Sequence, residues 1–343
     1  MTAKRFLITG GAGFIGSNYA RRLIKRGEDV TIFDNLSRIG ADRNISLLAR
    51  ELGAGSFQFI KADIRDAEAV QKAAREKDVI IHLAAQVAVT SSVSEPRSDF
   101  EINAGGTFNV LEGARLSGNQ PIVIYASTNK VYGGLEDLKI REEETRYRLE
   151  EFPFGISESR GLDFHSPYGC SKGSGDQYAR DYFRIYEVPT VVFRQSCIYG
   201  VHQYGMEDQG WVAWFLIALK KKKQLTIFGD GKQVRDLLYI DDLMDVYDLA
   251  IQKIDISAGE VYNIGGGVDF SLSIWREFSK ILAKLFGEEI QVSFGDWRPG
   301  DQKVYISDIR KFMNQMNWKP NTSIAEGTRK LFDWITDNQQ YFA

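Results

Sequence analysis

The stretch Gly10-Gly11-Ala12-Gly13-Phe14-Ile15-Gly16 follows a short apolar segment, Arg5 to Thr9, and precedes a helical pattern that runs to about Arg26. Its G-x-x-G-x-x-G spacing between a strand and a helix is the setting that a dinucleotide fingerprint requires. Glycines permit the tight turn and let the backbone approach a pyrophosphate at the helix N-terminus. A plain glycine-rich turn is the alternative, and the flanking elements argue against it. The sequence therefore predicts that a dinucleotide contacts Gly10, Gly13, Phe14, Ile15 and Gly16.

The second strand-like segment, from Asp29 to Phe33, ends at Asp34. An acidic residue at this place can accept hydrogen bonds from an adenosine ribose, and it repels a 2′-phosphate. This favours NAD over NADP, although Arg38 close by would suit a 2′-phosphate. We expect Asp34, Asn35 and Arg38 to contact the cofactor.

Strands and helices continue to alternate through the first half of the chain. Strands are expected at residues 57–61, 79–83 and 122–126, and helices near 41–52, 66–77 and 97–117. This alternation predicts an α/β fold, a Rossmann doubly wound parallel sheet with helices on both faces. Ligands of such sheets bind at the carboxyl ends of the strands. The residues expected there are Asp63, Ile64, Leu83, Ala84, Ala85, Ser127 and Thr128.

Tyr168 and Lys172 lie four residues apart at the start of a helical pattern that runs to Tyr186, with Pro167 near its first turn. Positions i and i+4 share one face of a helix, so the ammonium is expected close to the phenol. A fixed cation favours the phenolate and lowers the pKa of a tyrosine, which makes it a better general base. Taken alone this spacing is a weak signal, because many surface helices contain it.

The composition bounds the function. The chain has 343 residues, a formal net charge of −3 and 43% hydrophobic residues, which is typical of a globular protein with no general affinity for nucleic acid or anionic membranes. No run of about 20 apolar residues predicts a membrane span, and the first residues lead directly into a strand. Two cysteines and three histidines show no metal-ligand spacing. We therefore expect a cytoplasmic enzyme without a metal.

Six stretches, spread over nearly the whole chain, are more informative together than singly. They are Thr9 to Gly16, His82-Leu83-Ala84-Ala85, Asn103 with Gly106-Thr107, Ala126-Ser127-Thr128 with Val131-Tyr132-Gly133, Tyr168 to Lys172, and Arg235-Asp236. In these motifs the chain resembles the extended short-chain dehydrogenase/reductase family, the nucleotide-sugar epimerases and dehydratases. The resemblance implies tightly held NAD that is not consumed, Tyr168 as the base, Lys172 as its partner and ribose ligand, and Thr128 as the hydroxyl that orients the reacting sugar.

The two residues after Thr128 indicate a choice within this family. Its 4,6-dehydratases have an Asp-Glu pair there, the acid and base that eliminate water, whereas this chain has Asn129 and Lys130. An amide and an ammonium cannot replace two carboxyl groups in acid–base work. Dehydration is therefore disfavoured, and reversible oxidation of one sugar carbon remains.

Three stretches, 128–133, 164–168 and 208–215, resemble the family's CDP-tyvelose (CDP-paratose) 2-epimerases more particularly. This implies epimerisation at C2 of a CDP-linked hexose through a 2-keto sugar, from CDP-paratose to CDP-tyvelose or from CDP-glucose to CDP-mannose. A UDP-sugar 4-epimerase is the main alternative, because it uses the same Tyr, Lys and Ser/Thr set. A non-enzymatic NAD-sensing or scaffold protein is a second alternative, disfavoured because both Tyr168 and Lys172 are present.

The second half of the chain is expected to bind the nucleotide sugar. By the same resemblance, Arg235 and Arg298 grip the diphosphate and Asp301 contacts the nucleotide ribose, since the arginine fork pairs well with phosphate oxygens. Thr128, Asn129, His165 and Ser196 are the further candidates for substrate contact. Where the family often has an asparagine, this chain has Cys197, which leaves the contacts around Ser196 open.

The predicted domains are interleaved in sequence. Residues 1–195 with 236–267 form the expected NAD-binding domain, and 196–235 with 268–343 the smaller α/β substrate domain. Residues 134–165 form a charged insertion, interpreted either as a solvated surface loop or as a wall over the sugar. Further helices are expected at 211–219, 271–286, 306–315 and 323–338, with strands near 225–228 and 261–264. We also expect a homo-oligomer, a dimer or a tetramer.

Overall fold

The computed structural model describes residues 3–298 and 301–342. The chain forms two compact units, each built from three segments. The first comprises the residues up to Val131, Phe164–Arg194 and Met244–Tyr262, and the second comprises Tyr132–Asp163, Gln195–Leu243 and the residues from Asn263 onward. This division differs from the predicted domains chiefly at residues 132–163, which group with the second unit.

The first unit contains a seven-stranded sheet with the strand order β3-β2-β1-β4-β5-β8-β12. The pairs β1–β2, β2–β3, β1–β4 and β4–β5 are parallel. The predicted Rossmann-type fold is therefore confirmed. The strands are β1 Arg5–Thr9, β2 Asp29–Asp34, β3 Gln58–Lys61, β4 Val79–His82, β5 Ile122–Thr128, β8 Thr190–Gln195 and β12 Val261–Ile264.

Helices connect these strands, as the alternating pattern predicts. They are α1 Phe14–Lys25, α2 Ala41–Leu52, α3 Ala67–Ala74, α4 Val89–Ser94, α5 Pro96–Phe100, α6 Gly106–Arg115, α7 Ser166–Tyr186, α9 Ile240–Gln252 and α10 Ile254–Ser257. The core of this unit is formed by fully buried strand residues such as Leu7, Ile80 and Val123, against apolar faces of α3, α6 and α7. Strands buried on both faces explain the nearly continuous apolar runs in the sequence.

The long helix expected at 97–117 is interrupted. A π-helical turn, Glu101–Gly105, separates α5 from α6. Two contacts hold this turn: the Thr107 hydroxyl donates to the Asn103 carbonyl at 2.5 Å, and Gly106 packs so closely on Ile64 that a Cβ there would lie 2.7 Å from its side chain. The wider turn lets Asn103 point its amide toward Gln86 and α7.

The second unit contains short strands and helices around two small sheets and a hairpin. Strand β11 pairs with β9, β13 and β15, β10 pairs with β14 in parallel, and β6 with β7 in antiparallel orientation. The strands are β6 Ile140–Glu142, β7 Tyr147–Leu149, β9 Cys197–Tyr199, β10 Leu225–Phe228, β11 Val234–Tyr239, β13 Ser271–Ser273, β14 Val292–Gly295 and β15 Val304–Tyr305. The helices are α8 Trp211–Lys220, α11 Phe278–Phe286, α12 Arg310–Met316 and α13 Ile324–Asp337.

The charged insertion is an integral part of the second unit. Its β6–β7 hairpin buries Tyr147 and Leu149. Arg146 makes a salt bridge of 2.5 Å to Glu277, and Lys232 one of 2.7 Å to Glu142. The interpretation as a freely solvated loop therefore does not describe this segment.

The helix expected at 271–286 begins only at Phe278. Residues Ser271–Ser273 instead pair antiparallel with β11. Ser273 and Glu277 then exchange hydrogen bonds, backbone N–H to side chain in each direction, at 2.8 and 2.9 Å. An open edge on β11 overrides the local helical pattern here, which a single sequence window cannot show.

Candidate active site

The glycine loop after β1 leaves no room for a side chain at Gly10 or at Gly16. Gly10 has φ +68°, and a Cβ on it would lie 2.6 Å from the Ala84 nitrogen. A Cβ on Gly16 would lie 2.5 Å from the Gly10 oxygen. Helix α1 begins after Gly13 without a side-chain cap and without an acid in its first turn, so its first N–H groups suit an anion. These features fit the pyrophosphate of a dinucleotide.

Asp34, at the end of β2, is held beside this loop. Its carboxylate accepts hydrogen bonds from the backbone N–H groups of Ala12 at 3.0 Å and Leu36 at 2.8 Å. Burial raises the pKa of Asp34, and these two N–H bonds act in the opposite direction. A carboxylate oriented at this strand end fits a ribose that carries free hydroxyls. Arg38 lies exposed in the segment that follows.

Asp63 follows β3, and its carboxylate is already engaged. It accepts from Asn35 Nδ2 and from Arg65 Nε and Nη2, each at 2.9 Å. The Arg65 guanidinium holds the pKa of Asp63 well below its usual range. Ile64, beside it, is buried against Gly106. Asn35 and Asp63 thus form one polar cluster at the carboxyl ends of β2 and β3.

His82, at the end of β4, has a structural role that the sequence did not assign. Its Nδ1 lies 2.8 Å from Thr9 Oγ1 and its Nε2 3.0 Å from Thr107 Oγ1. Burial lowers its pKa well below the ordinary value, with a smaller contribution from Lys172. The neutral imidazole therefore ties β1 and β4 to α6. The backbone of Leu83 to Ala85 then passes the glycine loop, since Leu83 N–H donates to the Thr9 carbonyl at 3.0 Å.

The three predicted catalytic side chains lie in the first unit, and all are buried. Thr128 ends β5, and its hydroxyl lies close enough to Tyr168, in the first turn of α7, to lower the pKa of the phenol. Lys172 lies one turn further along α7, with its ammonium 4.4 Å from the centre of the Tyr125 ring. The Tyr125 hydroxyl donates to the Lys172 carbonyl at 3.0 Å, which fixes α7 against β5.

The electrostatics of this set differ from the expectation. Burial raises the pKa of Tyr168 to about 12, and the nearby Thr128 hydroxyl acts in the opposite direction. Burial also lowers the pKa of Lys172 to about 7, against the attraction of Asp176 and Asp99. The prediction that Lys172 brings the pKa of Tyr168 down is therefore not met here. Spacing alone does not show that both groups are buried, and burial disfavours both charged forms.

Asn129 and Lys130 support Thr128 directly. They lie in a 3-10 turn, Asn129–Tyr132, that follows β5. Thr128 Oγ1 donates to Asn129 Oδ1 at 3.3 Å and accepts from the Lys130 N–H at 3.2 Å. The sequence left the roles of both residues open. His165 is exposed at the N-terminus of α7 and does not cap it.

The candidate substrate arginines belong to the second unit. Arg235 lies on β11 and donates to the Val234 carbonyl at 2.8 Å. Arg298 stacks on Phe228, 3.7 Å from the ring centre, and faces Glu207 at 3.4 Å and Asp208 at 3.3 Å. Exposed ion pairs of this kind are weak and readily exchanged for a phosphate.

Ser196 is hydrogen-bonded inside the second unit, whereas Asp301 is exposed to solvent. The Ser196 hydroxyl donates to Asp236 at 2.5 Å, and Asp236 is fully buried and also accepts from backbone N–H groups of Gly267 and Ser307. Ser196 is thus part of the internal bonding of its unit. Asp301 is exposed and its N–H donates to the Arg298 carbonyl at 3.2 Å. Pro299 and Gly300, in the predicted Trp297-Arg298-Pro299-Gly300-Asp301 motif, lie outside the described residues.

Two further features concern metals and membranes. Within residues 3–298 and 301–342, no group of three or more His, Cys, Asp or Glu side chains could hold a metal ion. The helices of the same residues include none with the length and apolar character needed to cross a bilayer.

Comparison with known proteins decides the family. Residues 7–331 match the family described as GDP-mannose 4,6 dehydratase. The chain belongs to this family. A CDP-paratose 2-epimerase from Salmonella typhi is 44% identical over 339 residues, which cover 97% of this chain and 99% of the relative. The predicted resemblance to the extended short-chain dehydrogenase/reductases, and with it an enzyme, is confirmed.

Other proteins that this chain is similar to are named as 4-epimerases. A putative UDP-glucose 4-epimerase from Methanocaldococcus jannaschii is 32% identical over 336 residues, 97% of this chain and 99% of the relative. A UDP-glucuronic acid 4-epimerase from Bacillus cereus, solved with UDP-glucuronic acid and NAD, has a TM-score of 0.81 and 30% identity, covering 97% of this chain and 99% of that one. The proteins that this chain is similar to are thus named as 2-epimerases and 4-epimerases, within a family described as a dehydratase.

Proposed function

We propose that the chain is a 2-epimerase that converts CDP-paratose to CDP-tyvelose, with CDP-glucose and CDP-mannose as a possible second pair. The observation that carries this proposal is the 44% identity, over nearly the full length of both chains, to a CDP-paratose 2-epimerase. Two features of the site support it. Tyr168 and Thr128 are both buried, with the Thr128 hydroxyl lowering the pKa of the phenol, and the carboxyl pair that dehydration needs is replaced by Asn129 and Lys130.

NAD is the cofactor, as the sequence predicts: solved structures similar to this chain hold it. When bound, it supplies a reversible hydride acceptor for one sugar carbon. The loop from Gly10 to Gly16 would hold its pyrophosphate, and Asp34 its adenosine ribose. The solved UDP-glucuronic acid 4-epimerase was crystallised with NAD. The carboxylate at position 34 supports NAD over NADP.

The residues of the first unit would handle the proton. Thr128 orients the C2 hydroxyl, and Tyr168 as phenolate takes its proton when the carbon is oxidised. Lys172 as an ammonium offsets the cost of the buried phenolate. The 2-keto sugar then presents its other face, and Tyr168 returns the proton as the carbon is reduced. Arg235 and Arg298 would hold the diphosphate, and Asp301 the nucleotide ribose.

Solvent isotope incorporation tests this function. Purified protein is incubated with CDP-paratose, and separately with CDP-glucose, in deuterated water. We expect inversion at C2 without deuterium at that carbon, because the hydrogen on carbon never exchanges with solvent. Deuterium at C2 would contradict the proposal and indicate proton removal beside a carbonyl. Tyr168→Phe, which lacks the hydroxyl and keeps the ring, is the control for the base.

A UDP-sugar 4-epimerase is the second candidate. The 32% identity to a putative UDP-glucose 4-epimerase favours it. Assays with UDP-glucose and CDP-glucose at equal concentrations distinguish the two functions. A UDP-sugar 4-epimerase would invert C4 of UDP-glucose, whereas a 2-epimerase would invert C2 of CDP-glucose. We place the reaction in the cytoplasm, which the two free cysteines, Cys170 and Cys197, support.

A further inference from the structure

A buried carboxylate, Asp99, is hydrogen-bonded to Ser171, the residue before the catalytic lysine, and has no part in the proton transfer described above. Asp99, in α5, is 1% exposed. Its Oδ2 accepts from Ser171 Oγ at 2.5 Å, and its Oδ1 accepts from Gln86 Nε2 at 3.0 Å and Asn103 Nδ2 at 3.1 Å. All three donors are uncharged. Hydrogen bonds alone therefore satisfy this carboxylate but leave its charge uncompensated.

The other buried carboxylate near Lys172 already has a cation. Asp176 is fully buried and accepts from Arg194 Nε at 2.8 Å and Nη2 at 2.9 Å. Ser127 also donates to it at 2.8 Å. The bidentate pair of Arg194 and Asp176 is neutral as a whole.

The fully buried charges around Lys172 are equal in number. Two cations, Lys172 and Arg194, stand against two anions, Asp99 and Asp176, and Arg194 is bound to Asp176. Both carboxylates favour the charged form of Lys172. Ser171, the residue before Lys172 in α7, donates a hydrogen bond to Asp99. An unpaired buried ammonium is costly, so the remaining carboxylate matters for its protonation.

We propose that Asp99 is a positioning residue: it is the buried counter-ion of Lys172 and sets the pH range in which Tyr168 and Lys172 work. The proposal rests on the proposed function. Asp99 touches neither cofactor nor substrate in this account, and it acts through Lys172. The titratable and charged groups around this pair are His82 on β4, Tyr125 on β5, Tyr168 and Asp176 on α7, and Arg194 on β8.

The Asp99 carboxylate shifts the pKa values of Tyr168 and Lys172 in the same direction. Its negative charge raises the pKa of Lys172 and also that of Tyr168. Removing the charge lowers both pKa values. The active form, phenolate with ammonium, then occurs over a lower range of pH.

Asp99→Asn removes the charge with little change in shape. The amide oxygen can still accept from Gln86 and Asn103, and the amide N–H can donate to Ser171, whose hydroxyl also reaches the Tyr168 carbonyl at 3.2 Å. We expect both limbs of the kcat/KM profile to move to lower pH by about one unit. Ser171→Ala is the matched control, because it removes one bond to Asp99 and keeps the charge, so its profile stays in place. An unmoved profile in D99N, or an equal shift in S171A, overturns the proposal.

A stability measurement on the protein without substrate tests the ion pair separately. We expect D99N to lower the Tm at pH 7, and to leave it unchanged or raise it when Lys172→Met is also present, since both charges are then gone. If D99N does not fold, the double variant must restore folding. Equal losses in Tm in the two backgrounds contradict the pairing. Because this assay needs no turnover, it distinguishes failure of the ion pair from failure of the proposed function.

Discussion

At the scale of single residues, the Thr128 hydroxyl at the end of β5 lies close enough to Tyr168 in α7 to lower the pKa of the phenol. It donates to Asn129 Oδ1 and accepts from the Lys130 N–H, so the hydroxyl is held from two sides. A side chain held in this way loses little entropy when it orients a substrate hydroxyl. Loss of the Thr128 hydroxyl is therefore expected to lower the rate of catalysis more than the stability of the fold.

Thr128→Val keeps the shape of the side chain and removes its hydroxyl. We expect kcat to fall by about 10²-fold, the lower range for a lost proton-transfer partner, because the sugar hydroxyl and Tyr168 lose their common contact. Thr128→Ser should retain most of the activity. Steady-state kinetics with the CDP-sugar measure this, and a T128V protein with wild-type kcat would show that the hydroxyl is not used.

The pH dependence of stability reports on Lys172. Its pKa is about 7 in the folded chain, against 10.5 as the ordinary value. Between these two pH values the unfolded chain binds a proton that the folded chain lacks. The free energy of unfolding therefore rises with pH in this window, by about 1.4 kcal/mol per pH unit from this group.

Lys172→Met should lose this rise, because no ammonium is left to titrate in this window. Urea unfolding between pH 6 and pH 10 measures the difference from wild type. Lys221→Met, at an exposed lysine, is the control and should keep the wild-type slope. Parallel curves for wild type and K172M would mean that Lys172 titrates normally.

At the scale of elements, the glycine loop shows two different requirements in one motif. Gly16 is needed for packing, because a Cβ on it would meet the backbone of Gly10 and Gly11 at 2.5 Å. Gly13, with φ −70° and ψ 178°, adopts an ordinary extended conformation. The nearest atom to a Cβ there is the Gly10 oxygen at 3.2 Å.

Gly16→Ala should therefore destabilise the protein itself, by about 1–3 kcal/mol as for other overpacked sites. Gly13→Ala should leave the Tm close to that of wild type and weaken NAD binding, since a methyl group just before the N-terminus of α1 would hinder close approach of a pyrophosphate to the loop. Calorimetry for folding and NAD titration for binding distinguish the two. Equal stability of both variants would contradict the close packing at Gly16.

At the scale of the whole molecule, several apolar side chains of α6 and α7 are exposed. Phe108 and Tyr178 form an edge-to-face pair with ring centres 6.1 Å apart. Leu116, Ile185 and Tyr186 continue this face, and Ile185 is 63% exposed. Contiguous apolar surface of this kind is typical of subunit interfaces. It supports the predicted homo-oligomer.

Light scattering after gel filtration should therefore give about twice the chain mass of 38.8 kDa, or a higher multiple. Ile185→Asp places a charge on this face and should yield the monomer. Ile256→Asp, at an exposed isoleucine of α10, is the matched control and should leave the oligomer intact. A wild-type monomer at micromolar concentration would show that the face has another use.

The sequence alone determined the Rossmann fold, because local signals carry it. Each strand in the first half is a short apolar run, each helix has its own 3.6-residue pattern, and the loop from Gly10 to Gly16 has a spacing that few other structures require. Family membership could be predicted for the same reason. Each of the motifs that contain Thr128, Tyr168 and Lys172 is a short continuous stretch of sequence. These motifs can therefore be recognised without knowledge of remote contacts.

Only the tertiary structure decided the features that depend on distant partners. Ser271–Ser273 became a strand because β11 offered an open edge. The insertion joined the second unit through Arg146 and Glu277. The pKa of Tyr168 is raised rather than lowered because the phenol is buried, and Asp99 accepts a hydrogen bond from Ser171 although 72 residues separate the two. Burial and long-range pairing are properties of the folded chain, which local sequence patterns do not contain.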